Sequence, residues 1–114
     1  MDKKHRPKAL ESRTYKIKTG CGNAYITVCR NGEPLEVFMK LGKSGGCANC
    51  QTEAITRCLS IGLRYGVPVE EYVHQLKDLK CPNQEYDGGT LIQSCPDAVA
   101  HALRESEGGD GKTE

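Results

Sequence analysis

The sequence predicts an α+β domain in which a three-stranded antiparallel sheet is followed by three helices packed on one face. Three observations carry that expectation. Apolar residues alternate with a period of two through the N-terminal part of the chain, the period changes to 3.6 after a glycine-rich break, and turn-forming residues separate the segments. A chain of 114 residues has the size of one domain and is far below the roughly 250 residues of a closed α/β barrel. Chemistry that needs such a barrel, or a separate cofactor domain, is not expected of this segment alone.

The first strand is Thr14-Tyr15-Lys16-Ile17-Lys18, which alternates as a half-buried strand does, and Gly20-Cys21-Gly22 turns the chain. The second, Ala24 to Arg30, is rich in β-branched and aromatic residues and runs into Asn31-Gly32. That dipeptide predicts a type I′ hairpin, because both central positions of the turn need positive φ. The returning strand is Leu35 to Leu41.

Gly42-Lys43-Ser44-Gly45-Gly46 ends the sheet. In the helix that follows, Ala54, Ile55, Cys58, Leu59 and Leu63 are expected to face inward, with Gly66 and Pro68 as the stop. Gly62 inside this helix costs about 1 kcal/mol relative to Ala, so another element is expected to pass close to it. A second helix starts near Pro68-Val69-Glu70-Glu71, turns Tyr72, Val73, Leu76 and Leu79 inward, and ends before Cys81-Pro82. Residues 83–93 read as a loop with a short extended piece at Leu91-Ile92. Ser94-Cys95-Pro96-Asp97 then opens a third helix, with Ser94 as cap, Pro96 in the first turn and Asp97 completing a capping-box-like pair. Its apolar stripe is Ala98, Val99, Ala102 and Leu103.

Seven cysteines stand in a chain with one Phe and no Trp, and a small aromatic-poor core gains from a covalent or metal staple. No secretion-like or membrane-spanning apolar run is present, so a cytoplasmic location, with no membrane association, is expected. There an odd number of thiols argues against a closed disulfide framework. Cys21, Cys47, Cys81 and Cys95 sit at turns beside Gly or Pro, whereas Cys29, Cys50 and Cys58 occupy positions a small buried hydrophobe would take. The first group suggests a four-thiolate zinc site. A rival set replaces Cys21 by Cys50, because Cys47-Ala48-Asn49-Cys50 is the one C-x-x-C pair, and that pair alone could instead be a redox dithiol.

Gly42-Lys43-Ser44 resembles the end of a P-loop, but Val37 stands where its first Gly belongs. The Gly45-Gly46 turn before a helix could still meet a phosphate. His74 and His101 lack partners at ligand spacing, and no Ser/His/Asp arrangement stands out. The net charge of +1 hides an asymmetry between a basic start and an acidic end. The expected organisation is a flexible basic arm over 1–12, a domain over 13–105 and a disordered acidic tail over 106–114. The basic arm is a candidate contact for nucleotide or nucleic acid.

Taken together, Arg13 to Val28, Glu36-Val37-Phe38, Gly42 to Cys47, Glu53-Ala54-Ile55, Gln75 to Pro82 and Ser94 to Ala100 resemble the TSCPD domain. That domain is similar to the C-terminal region of cobalamin-dependent ribonucleotide reductases and also occurs as short proteins. Gln93 departs from the Thr of the name-giving motif. The resemblance implies an accessory of ribonucleotide reduction and DNA-precursor synthesis that partners a reductase catalytic chain. It carries over neither the catalytic barrel nor a cobalamin site. It also implies four motif cysteines, which fall on Cys21, Cys47, Cys81 and Cys95.

Overall fold

The computed structural model describes residues 2–42 and 46–109. Strands β1 (Glu11–Thr19), β2 (Gly22–Asn31) and β3 (Glu33–Leu41) form one antiparallel sheet in that order. Helices α1 (Gly46–Arg64) and α2 (Val69–Leu76) follow, then a small hairpin of β4 (Glu85–Asp87) and β5 (Thr90–Ile92), then α3 (Cys95–Arg104). The expected α+β class and strand–helix order are both present.

The alternation read in the sequence sorts the sheet into two faces. Tyr15, Ile17, Ala24, Ile26, Val28, Val37, Met39 and Leu41 turn inward, where Ala98, Val99, Ala102 and Leu103 of α3 meet them. Each fully buried Ile, Val or Leu of this layer contributes about 1.5–3 kcal/mol relative to exposure. Helix α2 packs on α3, and α1 lies along β3. The open edge of β3 is closed by polar side chains of α1. Ser60 Oγ accepts from Val37 N at 2.9 Å and donates to Val37 O at 3.0 Å, and Asn49 Oδ1 accepts from Leu41 N at 3.3 Å.

Several sequence expectations are corrected. The hairpin at Asn31-Gly32 forms, but not as a type I′ turn. Gly32 alone takes positive φ (83°), Asn31 still pairs with Glu33, and the register shifts between Cys29 and Arg30, so a bulge absorbs the difference. The type I′ geometry appears instead at Gly88-Gly89 (φ 58° and 93°), joining β4 to β5 in a segment read as loop. The buried stripe of α1 is Thr52, Thr56, Leu59 and Leu63, leaving Ala54 and Cys58 exposed. Threonines fit that stripe because each hydroxyl donates to the carbonyl one turn back, Thr52 to Ala48 at 3.0 Å and Thr56 to Thr52 at 3.1 Å. Cys50 is likewise exposed, while Cys29 is buried as expected. Helix α2 stops at Leu76, so Leu79 is 46% exposed rather than inward.

The N-terminal segment is tied down. Strand β1 takes in Glu11 and Ser12, Lys4 pairs with Glu33, its backbone N–H donates to Arg64 O at 2.7 Å, and Arg6 pairs with Glu36 at 2.7 Å. At the other end, Glu105–Gly109 continue α3 as a wider π-type turn, and Arg30 donates to Ser106 O at 3.0 Å. The Gly45 half of the Gly45-Gly46 phosphate turn, and residues 110–114 of the expected tail, lie outside the described residues.

Candidate metal centre

Three of the four turn cysteines meet at one end of the sheet. The β1–β2 turn carries Cys21, the segment after α2 carries Cys81, and Cys95 is the first residue of α3. Gly20 is what lets the first two approach. A Cβ there would lie 2.1 Å from Asn83 O, so only a residue without one allows the turn to lie against the chain after Cys81.

Asp97 holds the Cys81 segment in place. Its carboxylate, 1% exposed, accepts from Asp78 N at 2.8 Å and from Gln93 N at 2.9 Å, clamping both ends of the excursion. Between these points Cys81 N donates to Gln93 O at 3.0 Å, and Gln93 Nε2 donates to Asp78 Oδ1 at 3.0 Å. Asp78 sits at φ 62°, a left-handed conformation Asp tolerates better than most residues. The expected cap is present in one half: Ser94 Oγ accepts from Asp97 N at 3.0 Å. The reciprocal half is replaced, because the Asp97 carboxylate serves the two loop N–H groups instead.

Around Cys95 the polar contacts are few. Its Sγ lies 3.8 Å from Thr19 Oγ1, which accepts from Cys21 N at 3.1 Å and donates to Gly22 O at 2.7 Å. Cys81 Sγ accepts from Asn83 N at 3.4 Å. Burial pushes the Cys95 thiol up to about 11, the Thr19 hydroxyl opposes that rise, and negative charge on Cys21 and Cys81 adds to it.

Cys47 stands apart from this group as an exposed residue of the first turn of α1. That turn lies at the same end of the sheet, since Asn49 binds Leu41, and Leu41 pairs with Ala24 just beyond the Cys21 turn. Cys50, of the rival set, is also exposed on α1. Among the described residues no group of three or more His, Cys, Asp or Glu side chains is arranged to hold a metal ion. Cys95 is a buried thiol that has Cys21 and Cys81 near it and the Thr19 hydroxyl beside it, and soft thiolate donors of this kind are what a structural zinc ion would require.

Sequence reasoning missed Thr19 and Asp97 as organisers of this site. A buried Thr ending a strand before Gly-Cys-Gly gives no distinctive signal, and Asp97 was accounted for as a cap.

Comparison with known proteins places the chain. The TSCPD domain family model matches residues 1–107. The chain belongs to the TSCPD domain family. Its relatives include a vitamin B12-dependent ribonucleotide reductase of Streptantibioticus cattleyicolor, 32% identical over 82 residues that cover 68% of this chain and 13% of the reductase. The enzyme of that name from Streptomyces coelicolor is also 32% identical over 82 residues, covering 68% of this chain and 8% of its own. The one from Agrobacterium fabrum is 26% identical over 102 residues, 87% of this chain and 8% of the relative. This TSCPD chain thus spans a small fraction of the length of the curated relatives it matches. No solved structure matches it. No helix among its described residues is long and apolar enough to cross a membrane.

Proposed function

We propose that this TSCPD protein is an accessory module of ribonucleotide reduction, non-catalytic by itself, built around a structural zinc ion held by Cys21, Cys47, Cys81 and Cys95. The observation that carries the metal half is that Cys21 and Cys81, from two separate segments, lie near the buried Cys95 thiol, which itself sits beside Thr19. Zinc bound by four thiolates would supply no reactive position, since structural sites of this type are coordinatively closed. Its contribution is to folding, on the order of 10 kcal/mol. The protein's own residues prepare the site: Gly20 admits the Cys81 segment, Asp97 fixes that segment's ends, and Ser94 caps the helix that presents Cys95. Cys47 completes the set from the first turn of α1, where the positive end of the helix dipole favours a thiolate.

Cobalt substitution tests the ligand set. Four thiolates give intense tetrahedral absorption and sulfur-to-metal charge transfer, and Cys47→Ser or Cys21→Ser reduces the charge-transfer intensity by about a quarter. Cys50→Ser leaves it unchanged. Full intensity in Cys21→Ser with loss in Cys50→Ser would establish the rival set instead.

Family membership supports the reductase half, since the relatives are named as ribonucleotide reductases. The partner is then a reductase catalytic chain. Binding of this protein to the Streptomyces coelicolor reductase truncated of its matching region is the expected result, and absence of binding contradicts that half alone.

A second reading rests on the exposure of both Cys47 and Cys50, three residues apart on α1. Their dithiol form would pass two electrons to a disulfide of a reductase, becoming a Cys47–Cys50 disulfide that a thioredoxin-type dithiol then reduces. Retention of full electron-transfer activity by Cys50→Ser rules it out.

A further inference from the structure

The outer face of the sheet, opposite α3, is open around Tyr25 and Phe38 and carries chemistry there that neither the metal centre nor the fold uses. Tyr25 is 38% and Phe38 is 50% exposed there. The register sets Tyr25 between Lys16 of β1 and Lys40 of β3, with Phe38 across from Thr27 in the next row on one side and Lys18 opposite Asn23 in the next row on the other. Tyr25 and Phe38 are thus diagonal neighbours on adjacent strands, about 7–8 Å apart. Beside them a cleft of about 510 Å³ runs between the sheet and α1.

The charge on this face is one-sided. Its acid, Glu36, is buried and paired with Arg6, and Glu53 at the rim is paired with Arg57. Lys16, Lys18 and Lys40 form no ion pair among the described residues. The N-terminal arm, where basic charge is densest in sequence, is less available, because Lys4 and Arg6 are engaged by Glu33 and Glu36. Three unpaired lysines around two exposed rings offer both parts that single strands need: cations for phosphates and flat surfaces on which unstacked bases lie.

We propose that this face binds single-stranded nucleic acid, with bases stacked on Tyr25 and Phe38 and phosphates neutralised by Lys16, Lys18 and Lys40. A duplex presents no free base faces and should bind less well. The site is independent of the cysteine cluster, because its residues point to the opposite side of the sheet from Ile17, Ala24 and Met39.

The test is fluorescence anisotropy of the full chain, as purified, with labelled 12-nucleotide oligo-dT and oligo-U and with a duplex of equal length, at several salt concentrations. Affinity for the single strands should fall with a log–log salt slope near −2, as about 0.7 per phosphate contacted predicts for three lysines. Tyr25→Ala and Phe38→Ala should each weaken binding roughly 5- to 150-fold, and Phe38→Leu should fail to restore it. Both positions are exposed, so unchanged thermal melts will show that the fold is kept. Lys16→Glu with Lys40→Glu should abolish most binding. Salt-independent binding, no binding at low salt, equal affinity for the duplex, or aromatic variants that bind as the wild type does would each overturn the proposal.

Discussion

At the scale of single residues, the seven thiols divide by environment rather than by sequence context. Cys29 is 7% exposed, and burial first, then the Glu36 carboxylate, push its thiol above the ordinary value of 9.0, against the pull of Arg6. A thiol raised in the folded state stabilises the fold fully below its unfolded value, and that contribution is lost as pH climbs past it. Denaturant melts of the wild type should therefore decline above pH 9 more steeply than those of Cys29→Ala. Brief alkylation of the native protein at pH 8, read by peptide mass spectrometry, should label exposed Cys50 and Cys58 and spare Cys29. Labelling of Cys29 at the rate of Cys58 would contradict the burial assigned to it.

Gly62 shows how a magnitude decides between two effects. Alanine would gain about 1 kcal/mol in helix propensity. Its Cβ, however, would sit 1.7 Å from the Tyr72 hydroxyl and 3.0 Å from Cζ, and overpacking of that kind costs about 1–3 kcal/mol. Gly62→Ala should thus lower the unfolding free energy, and adding Tyr72→Phe should recover part of the loss by removing the nearer atom. The close approach at Gly62 was legible in the sequence, as a glycine unexplained by its helix. That α2 supplies the neighbour was not.

At the scale of elements, what the sequence revealed well was whatever hydrophobic period alone decides. Strand alternation over Tyr15 to Ile17 and Ala24 to Val28, and the stripe of Ala98 to Leu103, mark core faces directly. The misread stripe of α1 has a physical cause: threonine hides its hydroxyl against its own helix, so Thr52 and Thr56 pack as apolar residues while Ala54 and Cys58 look outward. Of the β4–β5 hairpin the extended piece at Leu91-Ile92 was legible, as β5, but β4 and the pairing were not, because strands of three residues are too short for a period, although Gly88-Gly89 is the turn signal. Closure of the β3 edge by Ser60 also has no periodic signature. Ser60→Ala leaves Val37 N–H without its partner and should cost about 1–3 kcal/mol in denaturant unfolding. A change below 0.3 kcal/mol would mean that water satisfies that edge equally well.

The Cys81 segment is the element on which the metal centre depends most. Asp97→Ala removes the acceptor of two part-buried backbone N–H groups at once. It should cost about 2–4 kcal/mol and weaken zinc retention against a chelator, whereas Ser94→Ala should cost about 1 kcal/mol with little effect on retention.

For the whole molecule, the spacing of the cysteines does not reveal which of them come together. No standard ribbon spacing is present, yet Cys21, Cys81 and Cys95, separated widely in sequence, meet because the β1–β2 turn, the chain after α2 and the start of α3 share one end of the sheet. Long-range convergence of that kind follows from topology, which periodicity does not encode. The core is built from aliphatic and alanine side chains, with Phe38 left outside it.

The most direct measurement is native mass spectrometry with elemental analysis of protein purified without added metal, repeated on Cys95→Ser. The proposed four-cysteine site predicts one zinc per chain in the wild type. Both the zinc and the compact charge-state distribution should be lost in the variant. A wild-type protein that is compact, metal-free and takes up no zinc when offered it would contradict the metal centre.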